Sequence, residues 1–263
     1  KKFDICIIGG LGHVGLPLGI VFASKGIKVC LNDINESAAK KVLNGELPYI
    51  EHGAEPLLKS ALKNKNLHVS LDPSTIATSK YVIITIGTPV DEYLNPKIRQ
   101  FLNLFEQIKP FLDPSQILII RSSVFPSTCK QIFNILGKEK PWEIAYCPER
   151  IVQGYAVKEL SKLPQIVSGF SPKAIKEASN LFKIISKKII KSSMGEAELV
   201  KLFSNSWRYI QFATANQFYM MANDFGENYD RIRDIMIDGY ERTVGLPSAG
   251  FSAGPCLLKD TMQ

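Results

Sequence analysis

Three groups of residues in this 263-residue chain have types and spacings suited to chemistry. The first is a thiol, Cys256, in the loop SAGFSAGPCLLKD, with Lys259 and Asp260 just after it. Gly250 and Gly254 would let the backbone bring the sulfur to a substrate carbon, and nearby lysines favour the thiolate, the nucleophilic form. Read alone, the loop fits a structural thiol better. The second group is Lys201 and Asn205, four residues apart in a segment without proline, so both project from one helix face. A cation and an amide on one face could polarise a substrate oxygen. A solvated lysine beside a packed asparagine is the other reading, and spacing alone leans toward it. The third group is the turn GLGHVG: Gly10, Gly12, His13, Val14 and Gly15, directly after the apolar run FDICIIG.

That turn has the context a dinucleotide site requires, a strand before it and a helix after it. Gly10 is expected to permit the tight turn, Gly12 to let the backbone approach a pyrophosphate, and Gly15 to allow close helix–strand packing. The pyrophosphate would meet free N–H groups and the positive end of the helix dipole. Asp33 closes the run KVCLND, 18 residues after Gly15, where its carboxylate would accept hydrogen bonds from the adenosine ribose. The same charge would repel a 2′-phosphate, so NAD is expected rather than NADP. Gly87, Thr88 and Pro89 follow another apolar run and would line the same edge.

These groups need a scaffold. Strands are expected at 3–9, 28–32, 81–87, 116–121, 142–146, 165–169 and 187–191, with helix-like segments such as VGLPLGIVFASKG, SAAKKVLNG and PKAIKEASNLFKII between them. Continuous apolar strands spaced by helices indicate a doubly wound, Rossmann-like parallel α/β sheet covered on both faces. The pattern changes near residue 192. From Gly195 to Phe225 there is no proline, and apolar residues recur at helical spacing (Leu199, Leu202, Phe203, Ile210, Phe218, Met221), which predicts a helix of about 30 residues. The expected division is 1–191 for cofactor binding and 192–263 for an all-helical segment. The apolar face of the long helix suggests a homodimer.

Composition narrows the function classes. The net charge is +7, but its lysines are dispersed (Lys173, Lys176, Lys183, Lys187, Lys188), as on solvated helix faces, so no nucleic-acid partner is expected. A small polyanionic substrate suits that charge equally well. The five cysteines form no CxxC pair and the three histidines no cluster, so no metal is expected and a reducing, cytoplasmic compartment fits. No apolar run approaches the ~20 residues that span a bilayer, so no membrane partner is expected.

Taken in order, IIGGLGHVGLPLG, NDINESAAKKVLNGELPYIEHGAEPLL, IGTPVDE, SSVFPSTC, CPERIVQG, GEAELVKLFSNSWR and GFSAGPCLLKD resemble the UDP-glucose/GDP-mannose dehydrogenase family over essentially the whole chain. The resemblance implies a four-electron, NAD-dependent oxidation of a nucleotide sugar, C6 hydroxyl to carboxylate. It makes Cys256 the nucleophile, places Lys201 and Asn205 at the reacting oxygen, gives Asp260 the water, and gives Glu149 acid–base steps of hydrolysis. Ser123 stands where the family has a threonine that assists through its hydroxyl beside the cofactor. CPER resembles the members acting on UDP-N-acetylmannosamine or UDP-N-acetylglucosamine, with UDP-glucose as the alternative. Ser127 replaces a family glycine, Gln153 a glutamate, and Pro255 a small polar residue. Family members continue into a UDP-binding domain, so the resemblance also implies a fragment without it, poorly active alone. A two-electron hydroxyacid dehydrogenase, and an inactive module for NAD binding and dimerisation, are the readings of other kinds.

Overall fold

The computed structural model describes residues 1–88, 90–93, 95–137, 140–251 and 260–261. It divides into two compact units, residues 1–89 with 97–199 and residues 90–96 with 200–263.

The first unit is built on eight strands: β1 (Phe3–Ile8), β2 (Val29–Asn32), β3 (Leu67–Ser70), β4 (Ser79–Ile84), β5 (Ile117–Ile120), β6 (Glu143–Tyr146), β7 (Gln165–Gly169) and β8 (Ile189–Lys191). Its helices are α1 (Gly15–Ser24), α2 (Glu36–Leu43), α3 (Ala54–Lys63), α4 (Ile98–Ile108), α5 (Thr128–Leu136), α6 (Ala156–Leu160) and α7 (Pro172–Phe182). The strands form one sheet in the order β3-β2-β1-β4-β5-β6-β7-β8. Because strand side chains alternate, a run such as Ile5–Ile8 feeds both faces. Ile5 and Ile7 join Leu31, Ile83 and Ile119 under α1, α3 and α7. Cys6 and Ile8 join Val82, Ile84 and Ile120 under Phe101 and Phe105 of α4 and Ile132 of α5. Helix α1 is buried from Gly15 to Ala23, which is why its sequence is apolar all round.

The sheet departs from expectation in two places. Strand β3 was not anticipated: at the sheet edge LHVS buries only Leu67 fully, so it lacks the apolar run that marks an inner strand. And β7 runs antiparallel to β6, pairing Ala145 with Gly169, while the other pairs are parallel. The connection carries only the five-residue α6 rather than a crossover helix, so the chain re-enters the sheet from the edge at which it left. The CPER segment is thereby kept at the carboxyl edge of the strands, where open α/β sheets bind ligands.

Helix α8 (Met194–Asp224) runs 31 residues, and α9 (Tyr229–Ile237) follows after Asn228, whose side chain accepts the Arg231 N–H. In the second unit Ala215, Ala222 and Tyr229 form a small core with Ile232, Leu246 and Ala249. Asn216 grips the backbone of Gly250 twice, donating to its carbonyl and accepting from its N–H, each at 2.8 Å, and so fixes the entry to the glycine-rich loop. Among the described residues no helix is long and apolar enough to cross a membrane.

Candidate functional site

The glycine turn leaves β1 at its carboxyl end. The left-handed residue that makes the bend is Gly9, with φ of +77°, rather than Gly10 as the sequence suggested. Gly10 is needed for space: a Cβ there would lie 2.8 Å from the Ile7 carbonyl and the Leu31 Cα. Gly15 is tighter, with a Cβ only 2.4 Å from the Gly9 carbonyl. At Gly12 a Cβ would meet protein no closer than 3.4 Å, so the fold does not demand glycine there and an approaching ligand would. The N–H groups of His13, Val14 and Gly15 have no acceptor among the described residues, while Leu16 already bonds the Gly12 carbonyl at 3.0 Å. Three free donors at a helix N-terminus suit a pyrophosphate.

Asp33 directly follows β2, beside this turn. One oxygen accepts the Leu11 N–H at 2.9 Å, the other the N–H groups of Ile34 and Asn35 at 2.8 and 3.1 Å. The carboxylate therefore shapes the loop and stays part-exposed for a ribose hydroxyl. Next to it Ile34, Ile86, Gly87, Thr88, Gln100 and Phe101 line a groove of about 500 Å³. The groove has room for the adenosine end of an adenine dinucleotide, whose pyrophosphate the turn would meet. Pro89 lies outside the described residues.

Elsewhere on the same edge, sequence reading overlooked a buried polar network. Arg121, which follows β5, is fully buried. Its guanidinium ion-pairs with Glu149, donates to the Cys147 carbonyl at 3.1 Å and to Gln165 at 2.8 Å, and lies 4.6 Å from the Phe182 ring centroid. The other Glu149 oxygen accepts the N–H groups of Arg150 and Ile151 at 2.7 and 3.1 Å. Glu149 is thus held on both sides in a buried ion pair. Glu51 holds the next stretch, accepting from the Gly154 and Val157 N–H groups, each at 3.1 Å. Ser123 is part-exposed one residue beyond buried Ser122. Ser127 adopts φ of +70°, the left-handed geometry for which the family's glycine is suited. Its N–H bonds Glu198 at 2.8 Å, and the same carboxylate takes the Cys129 N–H at 3.1 Å, capping α5. Burial pushes the Cys147 thiol up to about 12, and burial with the adjacent Glu198 charge raises Cys129 well above its ordinary value, so neither is a poised nucleophile.

In the second unit, Lys201 and Asn205 are both buried one turn apart on α8. Asn205 donates to the Asp260 carboxylate at 2.6 Å, joining residues 55 apart in sequence. Cys256 lies outside the described residues. The candidate residues therefore fall into two sets: Ser123 and Glu149 in the first unit, and Lys201, Asn205 and Asp260 in the second. Sequence reading missed Arg121, which lies in none of the quoted blocks, and did not single out Glu198 and Tyr49 within the blocks that contain them.

Residues 3–186 match the NAD-binding domain of the UDP-glucose/GDP-mannose dehydrogenase family, and residues 195–263 match its central domain. A UDP-N-acetyl-D-mannosamine dehydrogenase of Methanococcus maripaludis is 32% identical over 235 residues, 87% of this chain and 54% of the relative. That of Pyrococcus horikoshii is 30% identical over 258 residues, 95% of this chain and 61% of the relative. The solved structure of a UDP-D-ManNAc dehydrogenase from Pyrococcus horikoshii superimposes with a TM-score of 0.88 at 29% identity, covering 98% of this chain and 62% of that one. A UDP-N-acetyl-mannosamine dehydrogenase from Staphylococcus aureus gives 0.80 at 25%, covering 98% and 66%. The chain thus spans about half to two thirds of the length of these relatives. By both domain matches, the chain belongs to the UDP-glucose/GDP-mannose dehydrogenase family.

Proposed function

We propose that this chain carries the NAD-binding and catalytic parts of a nucleotide-sugar 6-dehydrogenase, acting on a UDP-N-acetylhexosamine and converting its C6 hydroxyl to a carboxylate. The observation that carries the reading is the Asn205–Asp260 bond, because it draws two of the singled-out polar residues together beside Lys201 and just past Cys256. The names of the relatives and the CPER segment favour an N-acetylated sugar over glucose.

In this reading bound NAD accepts the hydride in each of two oxidations. Lys201 and Asn205 stabilise negative charge on the C6 oxygen as an oxyanion hole does. Cys256 adds to the aldehyde to give a thiohemiacetal, whose oxidation leaves a thioester. Asp260 positions the water that hydrolyses it, freeing the thiolate. Ser123 supports the reacting oxygen through its hydroxyl, and Glu149 serves hydrolysis from within its pair with Arg121. Per sugar, two NAD and one water are consumed, giving the carboxylate, two NADH and three protons.

The exposed Phe203, Trp207 and Ile210 of α8 support a homodimer, and buried unpaired thiols suit a reducing cytoplasm. A second reading is a module for NAD binding and dimerisation, for which the free donors of the glycine turn and the exposed face of α8 would suffice. One titration separates the two. Limiting UDP-sugars are incubated with excess NAD, using this chain and a version extended to the relatives' length. Two NADH per sugar, lost in Cys256→Ala, supports the thioester route. One NADH per sugar returns Cys256 to a structural role, and NAD binding without turnover in the extended version leaves the module.

A further inference from the structure

The Gly12 carbonyl is held by two donors. One is the Leu16 N–H of the first turn of α1 at 3.0 Å. The other comes from 37 residues away: the Tyr49 hydroxyl, at 2.7 Å. Tyr49 sits in the segment between α2 and α3, its ring partly buried against the core under that face of the sheet. Its exposed side carries the His13 imidazole, with ring centroids 3.9 Å apart. Neither contact belongs to a glycine motif, and both converge on a single peptide of the turn.

We propose that Tyr49 is a positioning residue for NAD, its hydroxyl fixing the Gly12–His13 peptide so that the His13 N–H faces the cofactor pyrophosphate. The argument is planar geometry. In a trans peptide the C=O and the following N–H point in opposite directions, and no peptide bond of the described chain is cis. Anchoring the Gly12 carbonyl against Tyr49 therefore aims the His13 N–H away from the protein. Gly12 and His13 are exposed, and this N–H has no acceptor among the described residues. A donor set before the ligand arrives need not be ordered on binding, so its hydrogen bond to the phosphate is strengthened by preorganisation. Leu16 alone leaves the peptide free to tilt about the helix start, whereas a second donor from another element fixes its plane. The stack against His13 in turn holds the phenol ring in place. Burial, then the Glu51 and Asp33 carboxylates, push the Tyr49 phenol upward, so it remains a donor throughout the physiological range. The proposal rests on the reading of this turn as the NAD site.

Calorimetric titration of the whole chain tests it, with NAD and with adenosine as ligands. Adenosine shares the base and ribose but lacks the pyrophosphate. Tyr49→Phe keeps the ring, its packing and its stack on His13, and the Leu16 bond still starts α1, so the variant should fold. Loss of one such hydrogen bond should weaken NAD about 3- to 10-fold while adenosine binds as before. Unchanged NAD affinity overturns the proposal. An equal loss for both ligands also overturns it, since Tyr49 would then be supporting the fold rather than the phosphate donor. Failure of the wild-type chain to bind NAD overturns the cofactor reading itself, a result distinct from the other two.

Discussion

The two units handle their large apolar side chains in opposite ways. In the first, a β-branched sheet is closed on both faces: Ile5, Ile7, Val82, Ile119 and Phe105 are all at 0% exposure. In the second, Phe203 is 64% exposed, Trp207 61% and Phe225 81%, around a core of two alanines and a tyrosine with partly buried neighbours. The chemistry differs in the same way. The first unit offers a ligand mostly backbone, held by a saturated scaffold, so its site depends on close packing. On the proposed function, the second offers buried side chains on a helix, so a site there would depend on which residues face together. Stability and ligand binding are therefore coupled in the first unit wherever a residue of the turn is also tightly packed, as Gly15 is, and separable where it is not, as at Gly12.

The strongest test of that contrast is Arg121→Ala. It leaves buried Glu149 without its counter-charge, and breaking such pairs costs about 3–5 kcal/mol, so urea unfolding should show a large loss. Asn205→Ala, in the second unit, should cost well under half of that and, on the proposed function, act mainly on turnover. A comparable loss at both sites would erase the distinction. Within the first unit, Gly15→Ala forces a methyl to 2.4 Å from a backbone oxygen and should lower stability by about 1–3 kcal/mol, taking NAD binding with it. Gly12→Ala should leave the unfolding midpoint nearly unchanged and weaken NAD alone. A large stability loss there would show that the turn is constrained by protein rather than by ligand.

Asp33→Ala should weaken NAD by about tenfold, a shift of roughly 1.4 kcal/mol, and relax discrimination against NADP; an unaltered preference in fluorescence titrations would remove Asp33 from the ribose site. The smallest effect is expected at Trp207→Gln. On an exposed helix face it should change stability by less than about 0.5 kcal/mol while shifting the sedimentation coefficient if that face joins two copies. Finally, the native chain treated with iodoacetamide at pH 8 should leave Cys129 and Cys147 unmodified, because a raised thiol pKa keeps the unreactive form. Labelling of either by mass spectrometry would mean that the first unit opens more readily than its packing implies.

The sequence by itself determined what is local or periodic. Alternating apolar runs specified a covered sheet, the glycine spacing specified the turn into α1, and a proline-free stretch specified α8 to within a residue of Met194–Asp224. It also put Lys201 and Asn205 on one face, since four residues make about one turn. Tertiary structure decided the rest. The edge strand β3 has too little apolar contrast to declare itself, and the reversal of β7 depends on where the connection re-enters the sheet. The bend falls at Gly9 instead of Gly10, which lies too close to Ile7 and Leu31 to carry a Cβ. Tyr49 on Gly12, Arg121 on Glu149 and Asn205 on Asp260 join positions 37, 28 and 55 residues apart. No propensity or period encodes such pairs. They exist because burying a polar group is favourable only where the fold supplies its partner, and only the folded chain decides which groups meet.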